Sequence, residues 1–117
     1  MTDSGHSSSL PKEGEYKTEA RFSLAEAPGL RVRQLSLTAG QCVPWHYHSE
    51  ITDTFFCMNG PMCVKTRDPD AEFVLEAGNT VAIPPGRPHY AAGVDLQACQ
   101  FMIIQGVGTY DYVPVDD

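Results

Sequence analysis

The stretch that decides the fold is Gly40–Gly60, GQCVPWHYHSEITDTFFCMNG. It opens with a run in which His46 and His48 are separated by one residue. In an extended strand alternate side chains share a face, so the two imidazoles point the same way, with Cα atoms about 6.5 Å apart. Two imidazoles at that spacing can grip one ion from a single strand. A turn at Ser49 to Thr52 follows, and then Asp53; Glu50 lies between them, and either carboxylate is within reach of the same cavity. Trp45 and Tyr47 alternate with the histidines and are expected on the outer side, packing the outer sheet or a partner subunit.

A second stretch, Gly78–Gly93, reads GNTVAIPPGRPHYAAG. A short strand, Thr80 to Ile83, runs into Pro84-Pro85-Gly86, and His89 emerges just beyond at the start of the next strand. The prolines fix φ and the glycine permits a tight turn, which aims His89 at a set point. Metal sites need ligands held this firmly. The fourth histidine, His6, lies in the N-terminal stretch.

Three imidazoles with one carboxylate suit one divalent transition metal, among Zn, Fe, Mn, Ni and Cu, without choosing between them. Three protein ligands with room left over is the pattern of catalytic sites, and a closed set of four that of structural ones. Whether Asp53 touches the ion therefore separates an open site from a saturated one.

Outward from these stretches the chain is punctuated densely by Pro and Gly. Between the breaks lie short runs rich in β-branched and aromatic residues: RVRQLSLT, ITDTFFCM, MCVKTR, EFVLEA, TVAI and QACQFMII. Many short strands at regular spacing argue for an all-β sandwich or barrel. The only helical signal is a weak turn at Ser23 to Ala27. Asn59-Gly60 predicts a hairpin joining Phe55–Met58 to Met62–Lys65, since both residues tolerate positive φ. There is no internal repeat of 20 to 50 residues.

The chain has 117 residues and a formal charge of -7, which fits one acidic domain without the basic patch that nucleic acid binding needs. No apolar run approaches the roughly 20 residues of a membrane span, and the first residues have no signal-peptide core, so a cytoplasmic location is expected. The four cysteines form no CxxC pair and read as reduced, buried small hydrophobes. Residues 1–15 are polar and aperiodic and read as a flexible tail, and residues 16–117 as the folded domain.

The two quoted stretches resemble the two motifs of the cupin family. The first, G-x5-H-x-H-x3,4-E-x6-G, is matched by Gly40, His46, His48, Asp53 and Gly60 (motif 1 at 40–60). The second, G-x5-P-x-G-x2-H-x3-N, is matched by Gly78, Pro84, Gly86, His89 and Gly93 (motif 2 at 78–93). Asp53 stands where Glu is usual and Gly93 where Asn is usual; the spacing is met throughout. The resemblance implies a cupin jelly-roll β-barrel (a double-stranded β-helix) with a metal on His46, His48 and His89 and Asp53 at the fourth position. Asp is one methylene shorter than Glu, so direct ligation by Asp53, action through water, and substitution by Glu50 all stay open.

HYHSEITDTFF also looks like small cupins grouped with aromatic polyketide cyclases. This implies a metal-dependent dioxygenase or cyclase/isomerase on a small, aromatic or polyketide-like organic substrate. The other reading is a non-catalytic small-molecule-binding or sensor barrel with a structural metal. Strand parity puts Phe55 and Cys57 on the cavity side, with Ala91 and Gly93 beside His89. On the last long strand, either Cys99, Phe101 and Ile103 or Gln100, Met102 and Ile104 face inward; Phe101 is the candidate lining residue of the first set. Arg87 and Tyr90 are conceivable substrate contacts at the barrel mouth. A homodimer is expected, with some part of residues 16–40 pairing with a neighbouring subunit, because exposed strand edges need covering.

Overall fold

The computed structural model describes Thr18 and residues 20–116; the expected tail, residues 1–15, lies outside them. The described residues form ten strands: β1 (Ala20–Ala27), β2 (Leu30–Leu37), β3 (Cys42–Tyr47), β4 (Thr52–Asn59), β5 (Met62–Thr66), β6 (Ala71–Leu75), β7 (Thr80–Ile83), β8 (His89–Gly93), β9 (Cys99–Gly106) and β10 (Val113–Pro114), with one 3₁₀ turn at Val94–Leu96. They make two five-stranded antiparallel sheets, ordered β1-β2-β9-β4-β7 and β10-β3-β8-β5-β6. This is the all-β class that the short strands argue for, in the jelly-roll form that the resemblance implies.

The alternation that builds each strand also builds the core. In β9, Cys99, Phe101, Ile103 and Gln105 are buried while Gln100, Met102 and Ile104 are half-exposed, which decides the register the sequence left open. In β4, Asp53, Phe55 and Cys57 are buried. The apolar ones among these side chains pack with Leu35 and Leu37 from β2 and Val43, Met62, Val64 and Ala91 from the facing sheet. Phe55 and Phe101 sit with ring centroids 5.8 Å apart, and burying each aromatic contributes roughly 1.5–3 kcal/mol.

Two local expectations are corrected. Ser23 to Ala27 is no helical turn. It lies inside β1, which pairs with β2 from Ala20↔Ser36 to Ala27↔Leu30 with a bulge between Ser23 and Ala25. Tertiary pairing outweighs the weak local helical pattern there, and the Pro28-Gly29 turn, with Gly29 at φ 76, closes the hairpin as Pro-Gly turns do. Nor does Asn59-Gly60 close a hairpin. Both edges of β4 are taken by β7 and β9, and β5 pairs with β6 and β8, so the segment instead carries the chain from one sheet to the other. Neither Asn59 nor Gly60 has the positive φ that a two-residue hairpin of this kind requires.

The stretch read as Tyr16 to Thr38 supplies β1 and β2. Among the described residues β1 pairs only with β2, so it is an edge strand. None of the four cysteines is in a disulfide; Cys57, Cys63 and Cys99 are buried.

Candidate metal centre

The local folding of each motif explains where its histidines arrive. β3 and β8 pair Val43↔Ala91 and His46↔His89, with one extra residue on β3 between these points. The bulge falls at Pro44-Trp45, where a proline without an N–H is tolerated. It brings His46 directly opposite His89 and leaves His48, one step past the strand end, on the same side. On the facing sheet Asp53 lies in register with Ile83 and Gln105. The turn expected at Pro84-Pro85-Gly86 is present: Gly86 has φ 79, and its N–H donates to the His48 carbonyl at 2.7 Å, tying the two motifs together.

His46, His48, Asp53 and His89 are all buried, and one ligand atom from each lies within 4.8 Å of the others. The Nε2 atoms of His48 and His89 are each 3.0 Å from Asp53 Oδ2. His46 Nε2 is 3.2 Å from His48 Nε2 and 4.0 Å from Asp53 Oδ2. The shorter carboxylate thus reaches the histidines. Glu50 does not: it is exposed, and its Oε1 accepts from Thr109 N–H at 3.4 Å.

The outer ring nitrogens are all committed. His46 Nδ1 donates to the Pro44 carbonyl at 2.8 Å, His89 Nδ1 to the Arg87 carbonyl at 2.9 Å, and His48 Nδ1 to the Asp111 carbonyl. With Nδ1 donating to a carbonyl, each Nε2 faces inward; it offers a lone pair in the neutral ring, and at His48 and His89 it donates to Asp53 when it carries a proton. Three such lone pairs facing one carboxylate form a donor set that suits a cation. Donors about 2.1 Å from a common ion stand about 3.0–3.4 Å apart, the scale of the close contacts here. The four side chains could therefore hold one metal ion.

Electrostatics separates two histidines only two positions apart. Burial, with the neighbouring His89 and His48, pushes the His46 imidazole down to about 3, so it stays neutral. Burial also opposes charge on His48, but the hydrogen bond and charge of Asp53, helped by Asp111, outweigh it and raise its pKa. Burial likewise disfavours the Asp53 carboxylate, yet the hydrogen bonds from His48 and His89 win and hold it well below the usual carboxylate range. An ionised Asp53 is the state that serves a cation.

The remaining candidates are distributed as follows. Phe55 and Phe101 line the small chamber beside the histidines; Phe55 meets His89 edge-on with centroids 5.8 Å apart. Cys57 lies deeper, fully buried in the apolar core and away from the chamber wall. Arg87 does not face the chamber: its guanidinium donates to Thr66 Oγ1 at 2.7 Å and to the Pro69 carbonyl at 2.9 Å, a structural tie between loops. Tyr90 lies on the outer side of its sheet with Trp45, centroids 5.8 Å apart, and Trp45 also receives the Arg67 guanidinium at 3.9 Å. That outer packing is one of the two roles expected for Trp45.

Sequence reasoning missed the far wall. Tyr112 stacks on His46 with centroids 4.4 Å apart and planes 15° from parallel, and Tyr110 lies 5.3 Å from the His48 ring. Gln105 is buried and its Nε2 is 3.5 Å from Asp53 Oδ1. The parity of β9 carried one pair further would have found Gln105. Tyr110 and Tyr112 lie outside any strand and leave no periodic signal.

A jelly roll of two antiparallel sheets with a buried three-histidine, one-carboxylate cluster between them defines a class of small barrels whose cluster could hold a metal ion. The profile of the cupin domain matches residues 34–111, two thirds of the chain, and the chain belongs to the cupin family. No curated protein matches the sequence. Among solved structures, a double-stranded β-helix protein from Klebsiella pneumoniae is 20% identical with a TM-score of 0.70, covering 92% of this chain and 90% of its own. A cupin-2 domain protein from Shewanella frigidimarina is 23% identical with a TM-score of 0.63, over 77% and 82%. An oxalate oxidase is 22% identical with a TM-score of 0.66, over 74% of this chain and only 46% of its own length. At these identities the likeness is one of fold.

Proposed function

We propose that this cupin is a metal-dependent enzyme that holds one divalent transition metal (Zn, Fe, Mn or Ni) on His46, His48, His89 and Asp53 and acts on a small organic substrate as a dioxygenase or cyclase/isomerase. The observation that carries the reading is the convergence of three Nε2 atoms on one buried carboxylate. Similar folds that act on small organic molecules, an oxalate oxidase and DMSP lyases among them, support a catalytic use of the barrel.

The ion, when bound, supplies a Lewis acid that polarises a substrate oxygen. The chain's own residues do the rest. The carbonyls of Pro44, Arg87 and Asp111 fix the three imidazoles in one tautomer, which raises their strength as donors. Gln105 orients Asp53. Phe55, Phe101, Tyr110 and Tyr112 wall the chamber and keep bulk water out, which strengthens every charge interaction inside. In the same reading the protein works as a homodimer in the cytoplasm, with the edge strand β1 covered by a second copy.

The second reading is a binding or sensor barrel with a structural metal. It is favoured by one observation: the chamber at the cluster is only about 10 Å³, as a saturated four-ligand site would leave it. The visible spectrum of the Co(II)-substituted protein separates the two. Weak bands of five- or six-fold coordination that shift on adding azide support an open, catalytic site. An intense tetrahedral spectrum indifferent to azide refutes it and favours the binding module.

A further inference from the structure

The chamber beside the histidines is about 10 Å³, roughly the room of one water. An organic ligand can place one oxygen there but not its body. Next to it lies a groove of about 580 Å³, inside the range of about 300–1,000 Å³ typical of ligand pockets. The groove runs between the β1–β2 turn (Ala27 to Leu30), Arg31, Glu50 and the segment from Val107 to Tyr110. Two side chains, Gln105 and Tyr110, line both spaces, so the partition between groove and metal centre is one side chain thick.

The two halves of that partition differ. Gln105 sits in β9, its backbone held by pairing to Arg31 on one side and Asp53 on the other. It is 3% exposed; its Nε2 faces the Asp53 carboxylate, and its Oε1 has no hydrogen-bond partner among the described residues. A buried amide oxygen left this way is costly, and a ligand hydroxyl would supply the missing donor. Tyr110 belongs to no strand. Its ring carries the Arg31 guanidinium 3.7 Å from the centroid, which presents a flat surface suited to a planar group.

We infer that this groove is the binding site for the organic ligand, a planar hydroxylated molecule whose body lies against the Arg31–Tyr110 stack, and that Gln105 is the specificity-determining contact, accepting a hydroxyl hydrogen at Oε1 while an adjacent ligand oxygen enters the chamber. This rests on the reading of the cluster as a metal centre serving an organic substrate.

The test uses catechol as the probe and 1,2-dimethoxybenzene as its donor-free control, titrated calorimetrically into the full chain loaded with Co(II), with the metal content of every sample measured first. Gln105→Leu removes the acceptor; Ala27→Trp, at an exposed lining position remote from the cluster, fills the groove and keeps the test decisive if Gln105→Leu fails to fold. Catechol is expected to bind the wild type, the control not to bind, and each variant to lose about tenfold or more in catechol affinity with Co(II) content unchanged in Ala27→Trp. Failure of catechol to bind, equal binding of the two probes, or undiminished catechol affinity in Ala27→Trp overturns the inference. Absence of stoichiometric metal in the wild type, seen before any probe is added, defeats the metal reading itself and this inference with it.

Discussion

Two kinds of chain enclose the histidine–aspartate cluster. On one side are strands: His46 and His89 face each other across the β3–β8 ladder, and Asp53 is fixed between β7 and β9. On the other side is the strap from Val107 to Tyr112, which lies in no strand. It is held at Gly108 N–H to the Gly29 carbonyl (3.0 Å), at Ser49 N–H to Asp111 Oδ1 (2.7 Å) and by the Asp111 carbonyl on His48. The ladders give position; the strap gives closure. A strand residue is held by two neighbours along its length, whereas the strap depends on a few separate contacts, so it is expected to open at lower free-energy cost than the ladders.

The contrast can be broken on the strand side first. Phe101→Ala should cost about 3–5 kcal/mol of unfolding free energy, as removal of a fully buried aromatic does, measured by urea denaturation of the metal-free protein. A loss under 1 kcal/mol would mean that β9 does not anchor the core.

At the cluster itself, His46→Ala should leave the fold intact by circular dichroism while lowering metal affinity by more than roughly 100-fold, since even loss of a supporting hydrogen-bond partner typically costs about 10–100-fold. Competition with a chromophoric chelator reads this directly; unchanged affinity would remove His46 from the site.

The strap should respond differently. Tyr112→Ala removes a half-buried ring stacked on His46 and is expected to cost about 1–3 kcal/mol of stability, less than Phe101→Ala. The same variant should release metal to excess chelator several-fold faster, with little change in its equilibrium content. A strap that merely decorates the surface would leave the release rate as in wild type.

The smallest effect concerns the thiols of the strand wall. Burial, reinforced by Glu72, pushes Cys63 up to about 11, and burial with the nearby Cys57 does the same to Cys99. A raised thiol pKa means the reactive thiolate is scarce at pH 8 and grows only as pH nears 11. Alkylation of both residues in the native protein, followed by mass spectrometry, should therefore be much slower than that of a model thiol at pH 8.

The same division explains what was legible in the sequence. His46, His48, Asp53 and His89 were readable because alternation and the Pro84-Pro85-Gly86 turn are local rules, and the ladder then brings the local faces together. Phe55 followed from parity, whereas parity left Phe101 in one of two registers that only the burial pattern of β9 decides. The Asn59-Gly60 hairpin failed because a local turn signal carries no knowledge that both edges of β4 are already occupied. Ser23 to Ala27 failed for a related reason: the pairing of β1 with β2 overrides a weak local preference. Tyr110, Tyr112 and the Asp111 carbonyl were invisible, since they reach the cluster through the path of an irregular segment, 60-odd residues away in sequence from the histidines they touch.

The central claim is that four side chains share one ion. It is tested most directly by elemental analysis of the purified protein beside its Asp53→Ala and His89→Ala variants. About one transition-metal ion per chain in the wild type, sharply reduced in both variants, is the expected result. A folded wild type with no stoichiometric metal, or variants that keep the full complement, would contradict it.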